Sequence, residues 1–381
     1  MAADTQLSTP DVLRHLDLDA PQWRASALGW LGRAAAFAPV LLLILLVPAH
    51  SGDWTNDAIF AAIYAMVGLS MNVLVGYTGQ ISLGQQAFLG IGALTAANVV
   101  HTGTNSPDPF TFALGMVAAI GVSAGAALLL GAIALRIRGL YLALVTLVFG
   151  AVTADAIFTI PALNGNDAGV SAYRPTALQS NYAYYLFAIA MVGVCIYVDV
   201  WIRRTKTGRG LIALRDNELV ASAFGINVLG YKLLGFVLSG AMAGLAGGVF
   251  AFWSQEFSDK DFTAAAGFNK ALIFVVMVVV GGLGNRAGVI AAAAFFALVD
   301  PLFAGIAHRT GWLSFYTDHK AYISNIIGAG LLLQTVIFNP GGLGQVLRPF
   351  TRWFAGHKFS MHDEHGDAAA AALVGGGDVR A

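Results

Sequence analysis

Long apolar runs recur along the chain, separated by short polar or glycine-rich interruptions. They lack the strict alternation of a lipid-facing strand. A membrane-crossing helix needs about 20 apolar residues. Ten segments qualify, centred near 41, 66, 92, 122, 150, 191, 242, 276, 297 and 330. Those near 41, 92 and 276 are the weakest, and eight or nine spans is the other reading. Because a helix satisfies its own peptide groups in lipid, the predicted fold is all-α, a polytopic transmembrane helical bundle. One stretch interrupts the pattern. GYTGQISLGQQAFLGIGAL, residues 76–94, lies in a run without Asp, Glu, Lys or Arg from Ala58 to Pro107, yet it contains five glycines and three glutamines. Glycine is costly inside a helix, so a broken or re-entrant segment is expected near 76–86.

Composition supports the membrane reading. Of 381 residues, 57% are hydrophobic and only 11% charged, against about 25% charged in soluble domains. The zero formal net charge gives no hint of nucleic acid as a partner. The single cysteine, Cys195, excludes an intramolecular disulfide and reads as a small buried hydrophobe. If the N-terminus is inside, sixteen of the 21 Lys and Arg fall on the inner side, leaving only Arg174, Lys260, Lys270, Arg309 and Lys320 outside. That bias puts both termini in the cytoplasm.

Three regions follow. Residues 1–33 form a polar cytoplasmic segment unlike a cleaved signal, with APVLLLILLVPA after Arg33 as an uncleaved first span. Residues 34–345 form the transmembrane domain, with a cytoplasmic loop at 203–232. Residues 346–381 form a largely disordered cytoplasmic tail of Ala, Gly and charges. His357, His362 and His365 in and beside that tail read as solvated rather than as a metal site.

In the 203–232 loop, Arg203, Arg204, Lys206 and Arg209 anchor the orientation. RDNELVASAFGIN then reads as one short amphipathic helix, with Asp216 and Glu218 in its first turns and Gly225 as its C-cap. A short capped helix on this face suits docking in a partner's groove. Ala221-x-x-x-Gly225 with an acidic residue upstream resembles the coupling loop of ABC-importer permeases, although Glu218 stands one residue further from the glycine than is usual. Four longer stretches, LSMNVLVGYTGQISLGQQAFLGIGAL, RGLYLALVTLVFG, the run from TGRGLIALRDNELVASAFGINVLGYK to GAMAGLAGGVFAF, and VVVGGLGNRAGVIAAAAF, resemble the branched-chain amino-acid ABC permease family. They occur in the family's order over about residues 60–345, roughly three-quarters of the chain, and RGLYLALVTL is closer to the LivM-type than the LivH-type subunit.

The resemblance implies one of two non-identical permease subunits of an ATP-driven importer in a bacterial inner membrane. Its partners would be a second homologous permease, two cytoplasmic ATPase subunits, an extracytoplasmic solute-binding protein and membrane lipid. Arg215, Asp216, Glu218, Ala221 and Gly225 would carry ATPase coupling. Independently, the chain has no G-x-x-x-x-G-K-[ST] loop and no Gly-Lys pair, so ATP hydrolysis would belong to a partner. No cofactor is expected and no enzymatic role. The cargo would be a branched-chain or similar hydrophobic amino acid. Urea, a short amide or another small solute on the same architecture is the first alternative, and a self-sufficient secondary transporter the second.

Gly76, Gly79 and Gly84 permit the expected break. Gln80, Ser82, Gln85 and Gln86 would either satisfy freed backbone groups along a translocation path or join helices to one another. Gly240, Gly244, Gly247 and Gly248 form a small-residue face for close helix approach. The two Gly-Gly-Leu-Gly copies, in 281–288 and 339–346, read as family features of an ATPase-facing surface or as two tight turns. Asp155, Asp199 and Asp300 are the ionisable residues at or near spans.

Overall fold

A computed structural model describes residues 52–101, 107–137, 139–165, 169–258, 262 and 264–310, together with single positions at 330, 333, 334 and 337 and the turn 342–345. The N-terminal segment, the expected span near 41, most of that near 330, and the tail with its histidines lie outside these residues. Helices occupy the other eight expected positions.

Helix α1 (Gly52–Met71) runs on through a π-helical turn, Asn72–Tyr77. Helix α2 (Gln85–Val100) and helix α3 (Pro109–Ala134) follow. Helix α4 (Leu140–Val152) also ends in a π-turn, Thr153–Ile157, and the short α5 (Pro161–Asn164) leads to strand β1 (Val170–Ser171). Helix α6 (Asn181–Arg204) is followed by α7 (Lys206–Asp216), α8 (Glu218–Ala223) and α9 (Val228–Ser254). Strand β2 (Glu256–Phe257), α10 (Ala264–Gly281) and α11 (Arg286–Thr310) complete the described chain. Among the described residues, five helices are long and apolar enough to cross a membrane: Trp54–Tyr77, Pro109–Ala134, Leu140–Ile157, Asn181–Arg204 and Val228–Ser254.

Side-chain chemistry explains where several of these helices begin. Orphan amides of a first turn need acceptors, and Ser180, Thr205, Asn217 and Asn227 supply side-chain oxygens to α6, α7, α8 and α9 in turn. Pro109 sits in the first turn of α3, where its missing amide costs nothing.

The helices sort into inner and outer groups. The apolar windows of α1 and α9 are 78% and 72% buried, whereas those of α3, α4 and α6 are 28–33% buried. Almost every residue of α2 is buried as well. Association in lipid relies on close packing rather than on a hydrophobic drive, and α2 and α9 meet with almost nothing between their backbones. A Cβ on Gly92 would strike Gly244, and one on Gly247 would strike the Leu89 carbonyl. The two helices run parallel, with Gln85 level with Ser239 and Ala93 level with Gly247. Helix α3 crosses the same face through Ser123 and Ala127 against Gly240 and Gly244.

The two ends of this bundle differ chemically. One, the basic end, carries Arg203, Arg204, Lys206, Arg209 and Arg215, close to the turns at 79–84 and 282–285. At the opposite end β1 and β2 pair antiparallel, Val170 with Phe257 and Ser171 with Glu256, a staple that apolar periodicity gives no hint of. Buried Arg174 holds the same end. Its guanidinium donates to the Phe252 carbonyl (2.7 Å), the Trp253 carbonyl (2.9 Å) and Asn181 Oδ1 (2.9 Å), and lies 4.1 Å from the Tyr184 ring centroid. Two of those acceptors are last-turn carbonyls of α9, which have no helical donor.

Overpacking a tight contact costs about 1–3 kcal/mol. Gly247→Leu should therefore lower the apparent melting temperature in detergent by several degrees. Gly125→Leu, on α3 where a Cβ meets nothing within 4 Å, should leave it unchanged. Equal melting of the two variants would show that the α2–α9 contact does not limit stability.

Candidate functional site

Past the π-turn at the end of α1 the amide pattern breaks down. Thr78 N–H reaches the Leu74 and Val75 carbonyls and Gly79 N–H the Val75 carbonyl at 3.2 Å, but Gln80 N–H reaches back six residues to the Leu74 carbonyl at 3.4 Å. Residues 79–84 then carry no regular structure before α2 starts at Gln85. Gly79 adopts φ +69°, a left-handed value that penalises any side chain. This segment lies well inside the helix ends. Thr78 touches Gly235, seven residues into α9, and Leu83 N–H donates to Thr146 Oγ1 (2.9 Å), six residues into α4. At about 1.5 Å per residue, the break begins some 9–10 Å inside those ends.

Several groups around the break meet particular partners. The Gly76 carbonyl accepts from Arg215 Nη1 at 2.6 Å. Asn72 Oδ1 accepts from Gly284 N–H (2.8 Å), and the Gly284 carbonyl accepts from Arg203 Nη1 (3.3 Å). A Cβ on Gly76 would sit 2.6 Å from Asn72 Oδ1 and 2.8 Å from Gly284 N, so this approach requires glycine. The two Gly-Gly-Leu-Gly copies pack against each other. Gly342 lies on Gly282, and Asn285 Nδ2 donates to the Gly344 carbonyl (3.0 Å).

Gln85 joins three elements. Its Nε2 donates to Ser70 Oγ and Ser239 Oγ, both at 2.7 Å. Ser70 Oγ already donates to the Val67 carbonyl (3.0 Å) and Ser239 Oγ to the Ser70 carbonyl (2.8 Å). Each hydroxyl has only one proton, so both can offer Gln85 only acceptors. The amide is thereby oriented, and Gln85 Oε1 is left buried without a hydrogen-bond partner, as are Gln80 Oε1 and Asn72 Nδ2. Buried polar atoms of this kind are rare and call for a ligand or water. Gln86 packs its amide on Gly150 of α4, Ser82 is fully buried and accepts from Gly84 N–H (3.3 Å), and Gly84 lies against the Thr146 carbonyl.

Beneath the break lies an ionic cluster. Tyr77 Oη donates to Asp199 Oδ1 (2.7 Å), Arg286 Nε lies 3.3 Å from Asp199 Oδ2, and the Arg203 guanidinium stands 5.5 Å from the Tyr77 ring centroid. Asp199 is fully buried, and a carboxylate in that setting needs partners of this kind. Asp155, in contrast, is exposed on the second π-turn.

The helix at 218–223 differs from the sequence expectation. Arg215 and Asp216 belong to the last turn of α7, and α8 starts only at Glu218. Asn217 separates them because its extended backbone (φ −160°, ψ 109°) lets its side chain cap Leu219 and Val220 N–H at 3.0 and 3.1 Å. Gly225, at φ +80°, closes α8, with Ile226 N–H returning to the Ala221 carbonyl (3.2 Å). Ala221 is buried and Glu218 pairs with Lys232 on α9. Leu219, Val220 and Phe224 are exposed, at 79%, 50% and 83%.

Gly76 and Gly79 thus meet Arg215, Gln85 meets α1 and α9, and Gly84 and Gln86 meet α4. Ser70, Asn72, Tyr77, Asp199, Ser239, Gly284 and Arg286 join them without having been singled out together. The available signal was the polar residue inside an apolar run, as at Ser70, Asn72 and Asp199. Among the described residues no group of three or more His, Cys, Asp or Glu could hold a metal ion.

Residues 55–335 match the family described as "Branched-chain amino acid transport system / permease component". The chain belongs to that family. The permease is 29% identical to the high-affinity branched-chain amino acid transport system permease protein LivM of Salmonella typhimurium, over 77% of this chain and 70% of the relative. To the LivM protein of Escherichia coli it is likewise 29% identical, over 81% and 75%. It is 26% identical to the autoinducer 2 import system permease protein LsrC of an Enterobacter species, over 86% and 94%. No solved structure matches it.

Breaking a buried ion pair by removing one partner costs about 3–5 kcal/mol, and the partial exposure of Arg286 puts Asp199 at the lower end. Asp199→Ala should destabilise the permease in detergent more than Asp199→Asn, which keeps a partner for Tyr77. Thermal denaturation followed by size-exclusion chromatography reads the order, and wild-type melting of both variants would show the cluster to be inert.

Proposed function

We propose that this permease is one of two non-identical membrane subunits of an ATP-driven importer for branched-chain or similar hydrophobic amino acids. It lies in a bacterial inner membrane with about ten spans and both termini in the cytoplasm. Two ATPase subunits dock on the basic end, and an extracytoplasmic binding protein delivers cargo to the other.

The observation that carries this reading is α8. A six-residue helix capped at both ends presents Leu219, Val220 and Phe224 to solvent beyond the bundle. Burying one such side chain is worth about 1.5–3 kcal/mol, so together they favour a partner's groove over water. The Glu218–Lys232 pair and the buried Ala221 hold the helix on α9 while it does so. Membership of the family and the likeness to two LivM proteins support the choice of cargo.

The second reading is a different small solute carried by the same architecture. Likeness to an autoinducer 2 import permease favours keeping it, because related chains bear names for different cargoes. In both readings the 79–84 segment borders the route. Unpartnered Gln80 Oε1 and Gln85 Oε1 are uncharged acceptors for an ammonium or amide N–H, suited to a zwitterionic or neutral cargo that must be released.

Proteoliposomes containing the permease with its partner permease, ATPases and binding protein should accumulate leucine only when ATP is supplied. Leucine movement by the purified chain alone down an ion gradient would sink the importer reading in favour of a secondary carrier. Within the assembly, Gly225→Pro should abolish uptake with membrane insertion intact, because proline cannot take φ +80°. Glu218→Lys should cut uptake at least tenfold by repelling Lys232, and the exchange Glu218→Lys with Lys232→Glu should recover most of it.

A further inference from the structure

Arg215 occupies a position that helix docking alone does not require. It is the penultimate residue of α7, two residues before Asn217 ends its extended link and α8 begins. The residue is exposed, yet its guanidinium reaches the buried end of α1 and donates to the Gly76 carbonyl at 2.6 Å. The stem covers Gly79, where a Cβ would lie 3.3 Å from Arg215 Cγ, and Nη1 stands 3.5 Å from the Cβ position of Gly284. One side chain therefore lies against three glycines of two different turns.

The bond has a physical reason. The Gly76 carbonyl falls in the last turn of α1, beyond reach of a helical amide, and inside the bundle it needs another donor. A charged donor to a carbonyl makes a stronger hydrogen bond than a neutral one.

The α7–α8 region also holds α9, through Glu218 on Lys232 and Gly210 of α7 against Tyr231. Helix α9 is locked to α2 by the glycine contacts at Gly92, Gly244 and Gly247. The Arg215 arm thus ends on α1 and the Glu218 arm on the α2–α9 pair. Residues 79–84 are the only covalent link between α1 and α2, and the two arms straddle it.

We infer that Arg215 is a positioning residue that conveys displacement of α8 to the 79–84 segment through the Gly76 carbonyl. This rests on the importer reading. When α8 moves with its docked ATPase, Arg215 draws the end of α1 while Glu218 draws α9, and the segment between them opens or closes.

The test uses the complete transporter in proteoliposomes, with ATP hydrolysed and leucine accumulated measured in the same vesicles. ATP-independent accumulation by the wild type would overturn the importer reading before any variant is examined. With ATP dependence established, Arg215→Met should keep hydrolysis within about twofold of wild type and lower uptake at least tenfold. ATP spent per leucine then rises at least fivefold. Arg215→Lys, still able to donate to one carbonyl, should recover uptake to within about threefold. Should the methionine variant not assemble, Arg215→Gln, a donor on a shorter stem, is held to the same rise in ATP per leucine. Proportional loss of hydrolysis and uptake would make Arg215 a docking or folding residue and overturn the inference. So would unchanged uptake in Arg215→Met, or equal loss in the methionine and lysine variants.

Discussion

A peptide group that leaves its helix inside a packed bundle must find another partner, and the groups around residues 79–84 leave theirs. Much of the chemistry at the basic end answers that one disturbance. Thr146 takes the Leu83 amide, Arg215 the Gly76 carbonyl, and Asn72 the amide of a distant turn. Gln85 holds the start of α2 against α1 and α9 through two serines. Glycine at 76 and 84 serves the same end, since a side chain at either place would push these donors and acceptors apart.

The disturbance is also where the two candidate regions meet. The polar break and the exposed helix α8 look unrelated along the chain, one uncharged and buried, the other charged and exposed. A single bond between Arg215 and Gly76, 139 positions apart, makes them neighbours.

Much of the fold was legible in the chain. Apolar runs marked the places of α1, α3, α4, α6 and α9, each long enough to span, and those of α11 and of the weaker α2 and α10. Glycine and glutamine between 76 and 86 marked the interruption, and Gly225 marked the end of α8. The beginning of α8 was misplaced because Asp216 and Asn217 are both good caps in sequence, and only the backbone at Asn217 decides between them. The partners of the break were not legible at all. Tyr77 with Asp199, Asn72 with Gly284 and Gln85 with Ser239 are 122, 212 and 154 positions apart. Periodicity reports which face of a helix is apolar but not which helix it will meet. Asp199 stood out as a charge within a span, while its ion pair with Arg286 depended on how α6 and α11 come together.

The glycine seam between α2 and α9 bears on how such a bundle moves. Small residues are often regarded as lubricants that let helices glide. Here Gly92, Gly244 and Gly247 bring carbonyls and amides of two parallel backbones so near that no flexible side chain separates them. An axial shift by one residue would drive the peptide corrugations of one helix over those of the other, and the pair would have to part before it could slip. The seam works as a key in a slot. Helices α2 and α9 travel as one body, and shear belongs to boundaries cushioned by side chains, such as Gly68 of α1 facing Met277 of α10 and Val289 of α11.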